Sequence, residues 1–268
     1  MNLDAAGQDG LVVLPRRFSA HCVQATFKLP ARRPPADVLY CIHAVEIPGP
    51  PYEPCLLTEE QTLFCDLTYS DDQLFKQMSA TTRIQIRRAE KNDSLVFKAF
   101  SPKDLSRSEK IFLQFAEFYD EFARSKGLSP LRRDDLLADA HAGLLWLVAA
   151  EKDGETLQWC CYNAAHGRAR LRHACSHFRG EEPERRAMIG RAHRWLVWQA
   201  MRMFRDHAFT IYDFGGWYAG MEDQELLNIN RFKEGFGRAR TRLYSMAIPL
   251  SLRGRAYLGA AGIRRPSS

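Results

Sequence analysis

The residues best suited to chemistry lie in two short stretches near the C-terminus. In the stretch Thr210–Tyr218, an apolar run ends in Asp213 and a pair of glycines. In the stretch Asn230–Gly237, Lys233 lies between two phenylalanines and beside two glycines. Strand ends and corners are where α/β proteins place chemistry, so these polar residues are the first candidates. The pattern predicts a strand, a loop, a helix, a corner and a strand, with the polar residues at the strand end and the corner.

This pair of motifs resembles the FemAB-like branch of the GNAT acyltransferase superfamily. There, a strand ending in Asp-x-Gly-Gly precedes a helix ending in Phe-Lys-x-x-Phe-Gly. The resemblance extends, more weakly, from about Thr62 to about Leu250. It implies an α/β (α+β) fold with a mixed, mostly antiparallel sheet flanked by helices. It also implies a splayed pair of central strands, here Ala169–His177 and Phe209–Asp213, with the thioester of the donor between them.

The resemblance implies direct transfer of an acyl group to an amine, without a covalent enzyme intermediate. It associates Lys233 with the phosphate end of the donor and with stabilising charge at the reacting carbonyl. Without the motif, Lys233 would be a lysine favoured at a helix C-terminus by the helix dipole. Asp213 is a catalytic candidate that orients the acceptor, although capping of the amides of the following glycines explains it at least as well.

Three aromatic residues accompany these two candidates. Phe236 is expected at the corner and at the donor site. Tyr212 and Trp217 would wall the acceptor pocket or, equally, belong to the core.

A long helix predicted from Pro183 to Phe204 is the expected place for the donor's pyrophosphate, because free amides and the helix dipole favour an anion at its start. Arg186, Gly190 and Arg194 recur every four residues and therefore share one face. Arg191 follows the glycine. This set predicts acyl-CoA (acetyl-CoA) as the co-substrate, while a solvated arginine face with a packing glycine explains the same pattern.

Two details of this helix bear on the donor. Arg185 and Arg186 oppose the dipole in the first turn, which hints at a bound anion. The superfamily motif Gln/Arg-x-x-Gly-x-Gly/Ala is matched at Gly190 and Ala192, but Ala187 stands in its first position. The departure puts the acyl-CoA donor in doubt.

Candidates for the proton acceptor and the acceptor contacts lie on the third strand of a predicted meander. His173 and His177 alternate with Cys175 on one strand face, and either imidazole could act as a general base near neutral pH. Hydrogen-bonded, partly buried histidines explain the pattern better, and we predict no metal site. Ser176 lies where the family often has a serine that contacts the acceptor or the donor.

A second basic group, Arg83 to Lys91, resembles a helix that borders the active cleft in FemAB-like proteins. Arg83 and Arg87 are therefore candidates for binding an anionic substrate. A solvated helix face is the alternative.

Two other functions stay open beside the acyl-CoA-dependent enzyme. An aminoacyl-tRNA donor is the close alternative, although the helical arm usual in that branch has no room here. An inactive module that binds a glycan or a protein is the second. The resemblance suggests an amino sugar of a cell-surface glycan, or peptidoglycan synthesis, as the context of the acceptor.

Composition is that of an ordinary globular protein: 268 residues, 46% hydrophobic and 26% charged, with a net charge of +6. A basic balance suits an anionic ligand but does not identify it. Seven scattered cysteines without a CxxC pair, no secretory signal and no long apolar run predict a reduced cytoplasmic protein without a transmembrane segment. Peripheral contact with the inner membrane face and the oligomeric state stay open, and no DNA partner is expected.

The chain divides into three predicted parts. Residues 1–61 hold strands and a proline-rich segment that would represent a degenerate first GNAT half. Residues 62–252 form the acyltransferase domain, and residues 253–268 form a mobile basic tail.

Overall fold

The computed structural model describes residues 11–14, 20–50, 52–178, 180–237 and 239–260. The chain forms two compact units. Unit 1 comprises Met1–Thr62 and Arg240–Ser268, and unit 2 comprises Leu63–Ala239. The chain therefore begins in unit 1, builds unit 2 and returns, so that the last predicted strand belongs to unit 1. The assignment of residues 62–252 to one transferase domain stays a prediction.

Unit 1 contains a sheet in the order β1, β2, β3, β10 and the first part of β4. Strands β2 and β3 are parallel, whereas β10 is antiparallel to β3 and β1 to β2. Both faces are buried: Val23, Leu39 and Ile248 share one core cluster, and Cys22 and Val38 share another. This follows from alternation, since successive strand residues point to opposite faces. The bounds are β1 (Leu11–Val13), β2 (Cys22–Thr26), β3 (Val38–Ala44), β4 (Leu56–Asp66) and β10 (Ala239–Pro249).

The predicted mobile tail is wrong for residues 253–260, which belong to helix α8 (Leu252–Ala260). The helix is attached to Asp37: Ser251 Oγ donates to its carboxylate at 2.6 Å, and the Leu250 amide donates to its carbonyl at 2.7 Å. Leu258 is buried against the sheet. The rest of the predicted tail, like residues 1–10, lies outside the described residues.

Unit 2 is built on a sheet in the order β4, β9, β8, β7, β6, β5. The neighbours from β5 to β8 are antiparallel, and β9 is parallel to β8. The dipeptides Asp153-Gly154 and His166-Gly167 are typical of tight turns, and the two hairpins turn there with positive φ angles at all four residues. The bounds are β5 (Val96–Phe100), β6 (Leu145–Lys152), β7 (Glu155–Ala165), β8 (Arg168–Ser176) and β9 (Ile211–Gly216).

Helices cover both faces of this sheet. One cluster joins α1, α2, α6 and α7 to side chains such as Tyr162 and Tyr212. The other joins α3, α4 and α5 to side chains such as Leu147 and Trp159. The bounds are α1 (Asp71–Gln77), α2 (Ala80–Asn92), α3 (Pro102–Arg107), α4 (Glu109–Lys126), α5 (Arg133–His141), α6 (Pro183–Asp206) and α7 (Gln224–Glu234). The predicted mixed, mostly antiparallel sheet flanked by helices is confirmed.

The sequence predicts one helix over 104–126, a strand over 62–67 and a loose lead-in over 1–16, and the structure differs from all three. The helix predicted from Asp104 to Lys126 is interrupted at Ser108, which ends α3 and begins α4. Strand β4 begins at Leu56 rather than Thr62. Leu11–Val13, treated as part of a loose lead-in, pairs with β2.

The splayed strand pair is also confirmed. The ladder between β8 and β9 comprises three residue pairs and ends at Arg170 opposite Asp213, although β8 continues to Ser176 and β9 to Gly216. Gly215 marks the parting point, since its φ is +73° and an added Cβ would lie 2.5 Å from the carbonyl oxygen of Leu171. Only glycine suits this combination of backbone angle and close approach.

Replacing Gly254 tests the attachment of α8. A Cβ there would lie 2.0 Å from the Asp37 carbonyl oxygen, so we expect Gly254→Ala to destabilise the protein by about 1–3 kcal/mol. Gly259→Ala, in the same helix with no atom near the added Cβ, is the control and should stabilise by about 0.5–1 kcal/mol. Urea denaturation measures both, and equal effects would contradict the docked helix.

Candidate functional site

Four charged side chains lie where the β8–β9 ladder ends. Arg168 and Arg170 come from β8, Asp213 from β9 and Lys233 from α7. Their exposed fractions are 3%, 7%, 0% and 8%. Charged side chains are rarely buried to this extent unless they are paired or functional. This group, called the buried charge cluster below, is the centre of the candidate site.

The Asp213 carboxylate holds the cluster together. Arg168 Nε donates to Oδ2 at 2.9 Å, and Arg170 Nη1 donates to both oxygens at 3.1 and 3.0 Å. The Gly215 amide donates to Oδ1 at 2.9 Å, which confirms the capping interpretation. The carboxylate is fully buried among these donors, and a catalytic role of Asp213 stays a prediction.

Lys233 is the one member of the cluster that comes from outside the sheet. Its ammonium donates to the carbonyl oxygen of Gly216, at the end of β9. Burial lowers the pKa of Lys233 to about 8, with the Arg170 guanidinium contributing to the shift and Asp213 opposing it. The side chain therefore extends from α7 towards the parting strands, as the motif predicted, and is mostly cationic at neutral pH.

The loop after β9 is fixed by the same face of α7. Asn230, one turn before Lys233 and 5% exposed, accepts from the Tyr218 amide at 3.2 Å and donates to the Tyr218 carbonyl at 2.7 Å. Asp223 caps the start of the helix by accepting from the Leu226 amide at 3.0 Å. Together these contacts set the position of the Gly216 carbonyl that receives Lys233.

Close packing explains why the corner motif contains glycines. An added Cβ at Gly235 would lie 2.4 Å from Thr82 Oγ1, and one at Gly237 would lie 2.8 Å from Cys65 Sγ. Phe236 is 2% exposed and packs on Phe214, with ring centroids 5.3 Å apart. The expectation that Phe236 contacts the donor is not supported, because this ring belongs to the core.

The predicted donor residues on α6 fall into two groups. Arg191 forms two hydrogen bonds with Asp93, at 2.8 and 2.7 Å, and so is engaged in the fold rather than available for phosphate. Arg185 pairs with Glu155 and Glu181. The charge of Arg185 at the helix start is therefore balanced within the protein, and the argument for a bound anion there rests on Arg186 alone.

Arg186, Gly190 and Arg194 form the other group. Arg186 is exposed, and a Cβ at Gly190 would meet no atom within 4 Å, so packing does not require a glycine there. Arg194 donates to the Gly190 carbonyl at 3.1 Å and lies 5.1 Å from the Phe232 ring centroid. Its Nε is buried without a hydrogen-bond partner among the described residues. These three residues fit a phosphate-bearing donor.

The histidine candidates lie at different depths. Burial lowers the pKa of His173 to about 4, with Arg172 adding to the shift, so His173 is a weak base beside Tyr119. His177, just after β8, lies 3.6 Å from Glu121 Oε2 and packs against Phe118. His177 is the better placed of the two for proton transfer.

Of the remaining predicted site residues, some are engaged in the fold and others are at least partly exposed. Tyr212 is fully buried and its hydroxyl lies 2.8 Å from that of Tyr162, so it does not wall a pocket. Arg83 bonds the carbonyl oxygens of Lys76 and Met78 at the end of α1, which gives it a capping role instead. Trp217 is half-buried. Ser176 ends β8, and Arg87 is exposed above the ring of Phe75.

Other chemistries find little support in the described part of the chain. No three His, Cys, Asp or Glu side chains there are grouped as metal ligands. Burial raises the pKa of the Cys65 and Cys160 thiols to about 12, so neither is a ready nucleophile. No described helix is both long and apolar enough to cross a membrane.

Sequence reasoning missed Arg168, Arg170 and Asn230. The alternation of Arg168 and Arg170 around Ala169 placed both on one strand face, which was a readable signal. Their shared carboxylate lies more than forty positions away, and nothing in the sequence indicated the role of Asn230.

Comparisons with known proteins bear on the fold. No family model and no curated protein matches the sequence. Among solved structures, the chain is similar to FemX, with a TM-score of 0.63 at 12% identity over 90% of this chain and 83% of that one. It is also similar to L-PGS from Bacillus licheniformis, with a TM-score of 0.49 at 11% identity over 91% and 83% of the two chains. The similarity to FemX shows that the chain shares the fold of FemX, in agreement with the fold that the two motifs indicated.

Replacing Lys233 tests its burial. Between pH 8 and about 10, the folded protein has lost this proton while the unfolded chain still binds it, so stability rises with pH. We expect the unfolding free energy of the wild type, relative to Lys233→Met, to rise by about 1.4 kcal/mol per pH unit in this window. Urea denaturation from pH 7 to 10 measures it, with Lys91→Met as the control for loss of a lysine. A constant difference would show that Lys233 is not buried as described.

Proposed function

We propose that this protein is an acyltransferase that moves an acyl group from acyl-CoA directly to an amine acceptor, with an amino sugar of a cell-surface glycan as the acceptor class. The observation that carries the proposal is the position of Lys233. It is buried, cationic near neutral pH and directed at the place where β8 and β9 part. A gap between parallel strands gives a thioester access to backbone amides, and a cation beside it can stabilise an oxyanion.

In the proposed reaction, the amine nitrogen forms a bond to the thioester carbonyl carbon while the C=O electrons move to oxygen. The C=O bond then re-forms as the C–S bond breaks, and the sulfur leaves as a thiolate that takes up the proton lost by the amine. Lys233 stabilises the oxygen's negative charge. His177 accepts the proton from the amine, and the Glu121 carboxylate on α4, 3.6 Å from its Nε2, would stabilise the resulting positive charge. Ser176, Trp217 and Arg87 stay candidates for contacts with the acceptor.

The donor assignment depends on α6. Arg186 and Arg194 would bind phosphate, and the open face at Gly190 would admit it close to the backbone. The alternative donor is aminoacyl-tRNA. It is favoured by one observation: Arg185 and Arg191, two of the arginines around the expected pyrophosphate site, are already paired with acidic side chains.

Removing the lysine should abolish transfer. We expect Lys233→Ala to reduce kcat about 100- to 1,000-fold, the usual effect of removing one oxyanion donor. Lys233→Arg should retain part of the rate because it keeps the charge. Lys91→Ala, on an exposed helix face, is the control. The assay measures release of free thiol from acetyl-CoA with a panel of amino sugars, and aminoacyl transfer from charged tRNA in parallel.

Full activity of Lys233→Ala with either donor would contradict the proposed mechanism. A wild type that transfers from neither donor, yet binds a glycan equally well with and without Lys233, would support the inactive binding module instead.

Replacing Gly190 distinguishes the donors. A methyl group there fills the open face without meeting a protein atom, so Gly190→Ala should not destabilise the fold. We expect it to weaken acetyl-CoA binding about tenfold or more, because a phosphate could no longer approach the backbone. Isothermal titration with acetyl-CoA measures this, and Gly259→Ala is the control. Absence of acetyl-CoA binding to the wild type, with binding of charged tRNA, would favour the alternative donor.

A further inference from the structure

Unit 1 contains a cavity of about 240 Å³ that the proposed reaction does not use. One wall comes from the N-terminal part of the chain, with Arg33 and Tyr52. The other comes from the end of β10 and the start of α8, with Arg255 as its charged residue. Pro249, Leu250, Ser251 and Leu252 complete the lining.

The two walls are held in a fixed relation by Asp37. Its carboxylate accepts from Ser251 Oγ at 2.6 Å and from the His21 amide at 2.9 Å, and its carbonyl accepts from the Leu250 amide at 2.7 Å. The close approach of Gly254 to the same carbonyl leaves no room for a side chain. The cavity is therefore built by specific contacts and does not result from two loops that happen to lie together.

The cavity is lined by two cationic groups. Arg33 and Arg255 are both exposed, and the guanidinium group of neither has a hydrogen bond or an ion pair with any described residue. Elsewhere in the chain, arginines such as Arg191 and Arg202 are bonded to acidic side chains. Two guanidinium groups around one small cavity repel each other in the absence of an anion, and their planar donors match phosphate oxygens.

We propose that this cavity binds the phosphate group of a small phosphate ester. A phosphate carries between one and two negative charges near neutral pH, which suits two guanidinium groups better than the single charge of a carboxylate does. The volume is below the roughly 300–1,000 Å³ of sites for drug-sized ligands, so the substituent on the phosphate is small. Tyr52, Pro249 and Leu250 offer it an apolar surface.

The test measures binding of inorganic phosphate, pyrophosphate and glucose 1-phosphate by isothermal titration. We expect Arg33→Ala and Arg255→Ala each to raise Kd at least about tenfold, because each removes a charge-assisted contact. Arg32→Ala is the matched control. Arg32 is an exposed neighbour of Arg33 that does not line the cavity, so its loss should leave Kd unchanged.

A second arm identifies the source of the phosphate. Vesicles of phosphatidylglycerol and of phosphatidylcholine are compared in a sedimentation assay with the same three variants. Binding of the soluble esters that depends on Arg33 and Arg255 supports the proposal. Binding to phosphatidylglycerol vesicles alone, with the same dependence, would assign the phosphate to a lipid headgroup and overturn the soluble ester.

The proposal fails if no probe binds, or if Arg32→Ala weakens binding as much as the cavity variants do, since that would indicate a general effect of charge. The proposal that the cavity binds phosphate is independent of the transferase proposal. Lys233→Ala should bind the phosphate probes like the wild type, so the failure of one proposal leaves the other testable.

Discussion

The carboxylate of Asp213 is the constraint on which the candidate site depends. Strands β8 and β9 share only three paired residues, so the bonds from Arg168 and Arg170 to Asp213 fix the point at which they part. Removing this carboxylate would leave two buried guanidinium groups without their acidic partner. Breaking a buried ion pair in this way costs about 3–5 kcal/mol of stability. The point at which the strands part is therefore maintained by a fully buried charge.

The burial of the Lys233 ammonium destabilises the folded protein, and contacts of the neighbouring residues offset this cost. The lowered pKa means that the folded state binds this proton less tightly than the unfolded chain does. Several contacts compensate: Phe232 and Phe236 pack in the core, Gly235 allows α7 to approach α2, and Asn230 fixes the loop that receives the ammonium. A strained or destabilised group held by its neighbours is typical of a functional site.

Much of the fold could be predicted because its signals are local. Hydrophobic spacing located the helices and strands of unit 2, and the turn dipeptides at Asp153 and His166 located its hairpins. The interruption at Ser108 was missed since the apolar spacing continues across it. Helix α8 was missed because its sequence is small and basic, and because its contacts with Asp37, through Ser251, Leu250 and Gly254, exist only in three dimensions. The motifs indicated Lys233, whereas the partners of Asp213 depend on strand register.

The same limit explains why the basic residues could not be sorted from the sequence. The chain has 38 lysines and arginines, so many of them are candidates for binding an anion. Composition alone does not distinguish one candidate from another. The structure distinguishes them by whether each basic side chain is paired with an acidic one. Arg185 and Arg191 are engaged by acids that lie about thirty and about a hundred positions away in the chain. Arg33, Arg186 and Arg255 have no such partner among the described residues, although an exposed arginine gains little from a surface ion pair in any case. What raises them above a solvated surface is therefore their setting: an unfilled glycine face beside Arg186, and a cavity with clamped walls between Arg33 and Arg255.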